Sequence, residues 1–581
     1  MFEAQVGIDF GSAGSGYSFS FCNEDKIYHS EIFGAKTDCK VPTEIVLNDY
    51  GGELCFGEGC TKYLKDNGLK SGHLFKHIKM NLYSKNKKDT FIKSVNTGRS
   101  FSLVNVIQKV LESLKNSAIK QIRGSRPGIN ESNIKWTVTV PAIWEERQKD
   151  IMMEACKNAG LVNEKTDLSV FLTLEPEAAS LYCLRKGEID PDFIQDGDYY
   201  IVCDLGGGTG DIVTHKIGNN KKVKEVESAC GGDYGSNEIN KKIFSDIIYK
   251  IFGFKDFDSL QKKYRQLPYQ EGEKGEKILF GDWNELEREI NELKEGANID
   301  NYEEGKQNIN LSLFKDFFEE GIDLENLINK YNKNVQKDCK LIITSKRKWN
   351  VDFPYKIIYN YINSQSQHIC DSINNIINKN ENIKTIIFVG GYSLNDILIS
   401  LIKEKLSKKR DFNFFRPPRP FLAVMEGSVI FGINPQLIYS RKAKYTIGTD
   451  VRLPWNEEVH SKLGKKQYDE SENKYYCREC FSKFVKVDEN IEIDQEITQS
   501  FIMNGPRYCN IGFYASLKPN PTFTFEEGVD KIGECQLDAG KDYPVGEREI
   551  TITMKYGGTK YLFKTKHTKS GKELQTNLIY E

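Results

Sequence analysis

Asp9-Phe10-Gly11-Ser12-Ala13-Gly14-Ser15-Gly16 and Asp204-Leu205-Gly206-Gly207-Gly208-Thr209-Gly210-Asp211 decide the reading of this chain, because they are two versions of one local device. Each leaves an apolar run, Val6-Gly7-Ile8 in the first and Tyr200-Ile201-Val202-Cys203 in the second. Each then passes a glycine-rich turn into an alternating stretch, Tyr17-Ser18-Phe19-Ser20-Phe21 or Ile212-Val213-Thr214-His215-Lys216-Ile217. Period-two alternation after a turn predicts strand, turn and strand, a hairpin.

Glycines admit positive φ and let the backbone approach a ligand, so successive N–H groups can converge on an anion. The aspartate that opens each turn sits at the carboxyl end of a strand. There it is placed to hold hydrated Mg2+, an ion that keeps several waters and takes one or two carboxylates. Two such turns would grip a triphosphate from opposite sides. One copy alone is equally an ordinary hairpin or bulge. The matched pair favours a nucleotide. Neither the G-x-x-x-x-G-K-[ST] run nor a G-x-G-x-x-G turn leading directly into a helix is present.

The two turns stand in order with Val138-Thr139-Val140-Pro141-Ala142, Leu174-Glu175-Pro176-Glu177-Ala178-Ala179, Gly231-Gly232-Asp233 and Phe388-Val389-Gly390-Gly391. That series resembles the ATPase domain of the heat-shock 70-kDa chaperones, within the actin, sugar-kinase and chaperone superfamily. Trp136 to Trp144, Val389-Gly390-Gly391-Tyr392 and Arg416-Pro417-Pro418-Arg419-Pro420 resemble more closely its divergent branch called heat shock 70 kDa protein 12. The resemblance spans about residues 3 to 450 and continues more loosely beyond. It implies an α/β fold with two actin-like ATPase lobes (duplicated ribonuclease H-like units), followed by a mainly β C-terminal domain.

Composition agrees. A chain of 581 residues has room for several domains, taking about 100 to 200 residues for each. Lys plus Arg number 81 and Asp plus Glu 83, a net charge of -2 that gives no electrostatic case for nucleic-acid or membrane partners. No secretory leader pattern opens the chain and no run of about 18 uncharged apolar residues occurs. A soluble chain of the cytoplasm, or of the nucleus, is expected. Its fourteen cysteines are then expected to be free thiols. Cys477-x-x-Cys480 has metal-like or redox-like spacing, but no second cysteine pair accompanies it and the nearest histidine is His460; it is read as plain strand.

Lobe I is expected over 1–195 and lobe II over 196–447, with turn residues Gly187-Glu188-Ile189-Asp190-Pro191 and Asp196-Gly197-Asp198 at the crossover. Leu103, Val106, Val110, Leu114 and Ala118 recur at helical spacing and predict a helix covering a sheet. About 251–350 reads as a helical subdomain capping the cleft rather than sheet, and about 355–378 as a further helix. Over 448–581 the pattern turns β-rich, with Ile550, Ile552, Met554 and Tyr556 alternating before a turn at Gly557-Gly558 and a return through Tyr561-Leu562-Phe563-Lys564. His215 is read as packed within its strand, and Pro417-Pro418-Arg419-Pro420 as a stiff connector.

The resemblance implies roles for individual residues. Asp9 and Asp204 would organise Mg2+ through its waters, and Gly11, Ser12, Ala13, Gly206, Gly207, Gly208 and Thr209 would line the phosphates of ATP or ADP. Lys79 would stand near the γ-phosphate and Glu175 would position the attacking water. Gly231, Gly232, Gly390, Gly391 and Lys294 would receive adenine and ribose. Read alone, Lys79 is a solvated charge among lysines, Glu175 a helix-start carboxylate, and Asp211 either structural or a second water-binding acid.

Departures from the family pattern matter equally. Ser12-Ala13 stands where typical chaperones have two threonines, so hydrolysis is expected to be slow. Asn291 holds the place of a glutamate one turn before Lys294. Gly448-Thr449-Asp450-Val451-Arg452-Leu453-Pro454 replaces the acidic, leucine-rich linker, and no helical lid pattern follows the β region. The expected protein is an ATP-binding, chaperone-like weak ATPase that closes its lobes on nucleotide and works with protein clients or co-chaperones. A non-hydrolysing scaffold and a small-molecule kinase are the alternatives.

Overall fold

The computed structural model describes residues 2–30, 39–68, 70–83, 90–163, 166, 171–185, 189, 193–264, 273–317, 323–470, 472–493, 495–556 and 561–577. The Gly557-Gly558 turn and most of the 187–191 crossover lie outside them.

The first lobe is built on β1 (Ala4–Asp9), β2 (Gly14–Phe21), β3 (Tyr28–His29), β4 (Ile134–Val140) and β5 (Leu172–Leu174). Its sheet order is β5-β4-β1-β2-β3, with β1 antiparallel to β2 and parallel to β4. The second lobe repeats this plan with β6 (Tyr199–Leu205), β7 (Gly210–Gly218), β8 (Lys222–Gly232), β9 (Ile383–Val389) and β10 (Asn413–Phe415), in the order β10-β9-β6-β7-β8. Here β6 is antiparallel to β7 and parallel to β9. Each glycine-rich turn therefore joins the central strand of a sheet to its antiparallel neighbour. In register, Asp9 faces Gly16 and Asp204 faces Asp211.

Helix α1 (Leu103–Ser125) buries Leu103, Val106, Val110, Leu114 and Ala118 in the core of the first lobe. It ends at Arg126, where the following Pro127 disfavours helical backbone. Helices α2 (Glu175–Arg185), α3 (Tyr355–Lys379) and α4 (Ala423–Ile433) belong to the framework around the second sheet. The pair α2 and α4 cross so closely that a Cβ on Gly427 would lie 1.7 Å from the Ala178 carbonyl oxygen. On its other side α4 meets β1, where a Cβ on Gly7 would lie 1.9 Å from Ser428 Oγ. These two helices thus tie the lobes at their base.

The stretch 251–350 corrects the sequence reading. Helices Phe257–Tyr264, Glu273–Gly296 and Leu324–Asn332 are present, but Lys306–Asn310, Ile342–Ser345 and Asn350–Pro354 form an antiparallel sheet. Few apolar residues mark those strands, so the period-two signal is faint. Cross-strand amide contacts stand in its place, with Asn308 Nδ2 donating to Asp352 Oδ1 at 2.7 Å and Asn310 Nδ2 to Asn350 Oδ1 at 3.1 Å.

Two antiparallel sheets make up the C-terminal region. One pairs Lys465–Asp469, Lys474–Val485, Thr446–Pro454, Tyr508–Ser516 and Val529–Asp538; the other pairs Gln495–Ile502, Glu549–Tyr556, Tyr561–His567 and Glu573–Asn577. Ile550, Ile552, Met554 and Tyr556 point into a shared core, and Phe513 and Phe563 meet there at 4.2 Å. Strands β11 (Ile438–Lys442) and β12 (Asn490–Glu492) then extend the second lobe's sheet beyond β8, so the β region is continuous with that sheet.

Candidate functional site

The carboxyl ends of β1 and β6 bring Asp9 and Asp204 to the facing edges of the two lobes. Asp9 Oδ2 accepts from Lys40 Nζ at 2.5 Å, and Oδ1 accepts from Thr139 Oγ1 at 3.2 Å. The turn after β1 is braced from outside: Ser15 Oγ and Thr43 Oγ1 lie 2.7 Å apart, and Thr43 Oγ1 donates to the Gly11 carbonyl at 2.8 Å. A Cβ on Gly207 would come within 2.8 Å of Ala13 Cβ, and one on Gly208 within 2.5 Å of both Ser12 Oγ and Met80 Sδ. The two glycine turns face each other at van der Waals range.

Lys79, in the short helix Ile78–Tyr83, is 3% exposed and donates to Glu175 Oε1 at 2.5 Å. It is no solvated surface charge. Burial disfavours its ammonium, but Glu175 and Asp9 outweigh that and hold its pKa above the ordinary lysine value. Burial, with Asp9 adding to it, pushes the Glu175 carboxyl up against the pull of Lys79. Asp204 is driven well above the usual carboxylate range by burial, then by Glu175, Asp211 and Asp9. Asp211 is raised to about 7 by burial and by Glu175.

Asp9, Glu175, Asp204 and Asp211 are all buried; Lys40 and Lys79 are set among them, and Lys444 acts on Asp211. Acids outnumber cations here, a balance that suits a bound divalent ion. Asp211 Oδ1 is buried without a hydrogen-bond partner, a free acceptor at this site. Donor set, orphaned oxygen and glycine cradles all fit a magnesium-bound polyphosphate.

The remaining predicted positions form the wall of the second lobe. Gly390, at φ +82°, closes on Asp204, whose Oδ1 would lie 2.5 Å from a Cβ there, whereas Gly391 faces open space. Gly231 and Gly232 pair with Asp211 and Gly210 across the ladder between β8 and β7. Beyond them Ser236 and Asn237 donate main-chain N–H groups to Gly206 and Gly207 at 3.2 and 2.8 Å. Gln365 joins this segment to the Gly390 turn, giving its Nε2 to Gly235 O at 3.2 Å and taking the Tyr392 hydroxyl at 2.6 Å. Lys294 stands apart from the acids; its Nζ donates to Asn291 Oδ1 at 3.2 Å, and burial lowers its pKa.

Sequence reasoning missed Lys40, Thr43 and Thr139. Thr139 lies inside the Val138-Thr139-Val140-Pro141 motif, where strand alternation places it on the face opposite Val138 and Val140 and so offers a signal. Lys40 and Thr43 reach the turn through tertiary packing, and no local pattern announces them.

The family model described as "Hsp70 protein" matches residues 67–340. The chain is 25% identical to human "Heat shock 70 kDa protein 12B", over 96% of this chain and 88% of that protein. Human "Heat shock 70 kDa protein 12A" matches at 25% identity over the same shares. "Chaperone protein dnaK" of Cyanidium caldarium is 32% identical over 25% of this chain and 22% of its own length.

Proposed function

The chain belongs to the Hsp70 family, and from that premise we propose that it is a weak Mg-dependent ATPase whose lobes close on ATP to switch a chaperone-like β domain. Family membership supports nucleotide binding and chaperone-like function in general. The observation that carries the finer reading is the convergence of Asp9, Asp204, Asp211 and the Lys79–Glu175 pair between two opposed glycine turns.

Phosphoryl transfer needs positioned groups and neutralised oxygen charge more than covalent help from the protein. When bound, Mg2+ would supply charge neutralisation at the phosphates. Asp9 and Asp204 would hold it through water, and Asp211 would add the free oxygen. The N–H groups of 12, 13 and 207–209 would donate to phosphate oxygens, while Gly11 and Gly206, whose N–H groups go to Ser15 Oγ at 3.2 Å and the Thr209 carbonyl at 3.0 Å, would shape the two turns. Lys79 would present a cation to the terminal phosphate, and Glu175, held beside it, would orient a water. Gly231, Gly232, Gly390, Gly391 and Lys294 would border the base and sugar.

Lobe closure acts as a switch to the extent that nucleotide binds the closed form better than the open one. We assign lobe I to 1–195, lobe II to 196–447 and the β domain to 448–581. We place the chain in the cytoplasm or nucleus, a reducing compartment in which its fourteen cysteines would remain thiols. Partners are then protein clients and co-chaperones. Among the described residues no helix is long and apolar enough to cross a membrane.

Ala13, which lacks a hydroxyl, and Asn291, in place of a glutamate, favour a second reading in which nucleotide is held without hydrolysis to stabilise a scaffold. Calorimetric titration of ATP and ADP with and without Mg2+, followed by single-turnover phosphate release, separates the two. ATP recovered intact from a saturated complex selects the scaffold. Absence of nucleotide binding overturns both.

A further inference from the structure

In the C-terminal β region, His460, Cys477 and Cys480 are all buried, and each brings a potential ligand atom to within 4.8 Å of the others. Two residues three apart in a regular strand point to opposite faces of the sheet. The strand Lys474–Val485 breaks that rule with a bulge. Cys477 pairs with Leu453 and Cys480 with Val451, so Arg478 and Glu479 together oppose the single residue Arg452.

Glu479 takes φ +58°, the left-handed region unfavourable to a residue with a side chain. Neighbouring backbone holds it there: Thr524 N–H donates to Glu479 O at 2.9 Å, and Phe481 N–H to Thr522 O at 2.8 Å. The bulge turns both thiols to one face. His460 meets them from the end of the single helical turn Glu457–His460, capped by Asn456. Gly464 lets the following loop fold over, since a Cβ there would lie 3.0 Å from Cys477 Sγ. Val451, Trp455 and Phe523 enclose the group.

We propose that His460, Cys477 and Cys480 form a zinc site in the β domain, with the fourth coordination position filled by water or by a ligand from outside the chain. Two thiolates and an imidazole suit zinc, whereas magnesium requires oxygen donors. Zinc holds sulfur at about 2.3 Å and imidazole nitrogen at about 2.0 Å, so its donors sit roughly 3.3–3.8 Å from one another. Atoms that lie within 4.8 Å of one another therefore need to close by roughly 1.5 Å or less.

Burial and then Cys477 push the Cys480 thiol up to about 12. Loading must release that thiol's proton. It must also break one bond: His460 Nδ1 accepts the Asn456 N–H at 3.0 Å, and a neutral ligating imidazole carries its remaining proton on the nitrogen that the metal does not use. The metal would then staple the 456–464 loop to the bulge.

The test uses the full chain, stripped with chelator and titrated with Zn2+, and with Co2+ as a spectroscopic probe. One zinc per chain, a thiolate-to-cobalt charge-transfer band and a zinc-dependent rise in melting temperature are expected. Cys477→Ser and Cys480→Ser should lose the band and the stoichiometric metal, and Cys509→Ser should keep both. Should either cysteine variant misfold, His460→Gln leaves both thiols in place and should still abolish the one-to-one zinc stoichiometry. Absence of stoichiometric zinc in the wild-type chain overturns the proposal, as does undiminished binding by His460→Gln or Cys480→Ser. A native mass two hydrogens light, mapped to a Cys477–Cys480 disulfide, overturns it in favour of a redox pair.

Discussion

The ammonium of Lys79 and the carboxylate of Glu175, 96 residues apart in the chain, meet at 2.5 Å where both are buried. Removing one member of a buried pair strands the other charge, at a cost of about 3–5 kcal/mol. Lys79→Met and Glu175→Gln are each expected to destabilise the ATPase lobes, and the double variant to lose less than the sum. Each is also expected to slow single-turnover ATP hydrolysis by roughly 100-fold or more. Denaturant unfolding and phosphate release check the two parts separately.

Asp204 carries the opposite expectation for stability. Burial and its acidic neighbours already disfavour its charge, so Asp204→Asn should raise the melting temperature of the nucleotide-free protein while abolishing Mg-dependent turnover. A lowered melting temperature, or ATP hydrolysis equal to wild type in both Asp204→Asn and Asp9→Ala, would remove these aspartates from the assigned site.

The same cluster sets a pH dependence. Asp211 moves from 3.8 to about 7 on folding, so the folded state binds the proton more tightly than the unfolded chain. Its favourable contribution is complete below the unfolded value and is lost as pH rises through about 7. Nucleotide-free protein should lose stability from this group across that window, and Mg-ATP should offset the loss. Thermal melts over the same range, with Asp211→Asn flattening the slope, test it.

Gly390 combines φ +82° with an approach to Asp204 Oδ1 that leaves no space for a methyl group. Gly390→Ala is expected to weaken ATP binding at least about tenfold, equivalent to about 1.4 kcal/mol. Gly391→Ala, whose Cβ meets open space, should have a smaller effect on folding. Calorimetry and melts on both variants read the contrast.

Arg441 and Glu177 form a second buried pair, with bonds of 2.7 and 2.6 Å and each side chain 1% exposed. Arg441 lies on the strand that the β domain extends through β12, and Glu177 lies on α2 two residues after Glu175. Arg441→Met should cost about 3–5 kcal/mol, with Arg441→Met/Glu177→Leu recovering much of it. If the single variant unfolds at wild-type denaturant concentration, the pair has no such structural weight.

Legibility divides along the range of the interactions. The sequence by itself determined the two aspartate–glycine turns, the alternation of the strands beside them, and the apolar face of α1, because backbone sterics and side-chain period act over a few residues. It also carried the ordered motifs that place Glu175, Gly231 and Gly390 near those turns. Tertiary structure alone decided that Lys40 caps Asp9, that Thr139 reaches the same carboxylate, and that an asparagine-rich stretch within 251–350 closes into a sheet. It alone turned Cys477 and Cys480 towards His460, through a bulge paired with a distant strand. Each of these depends on chain segments brought together by burial, and local preference holds no record of which segments those are.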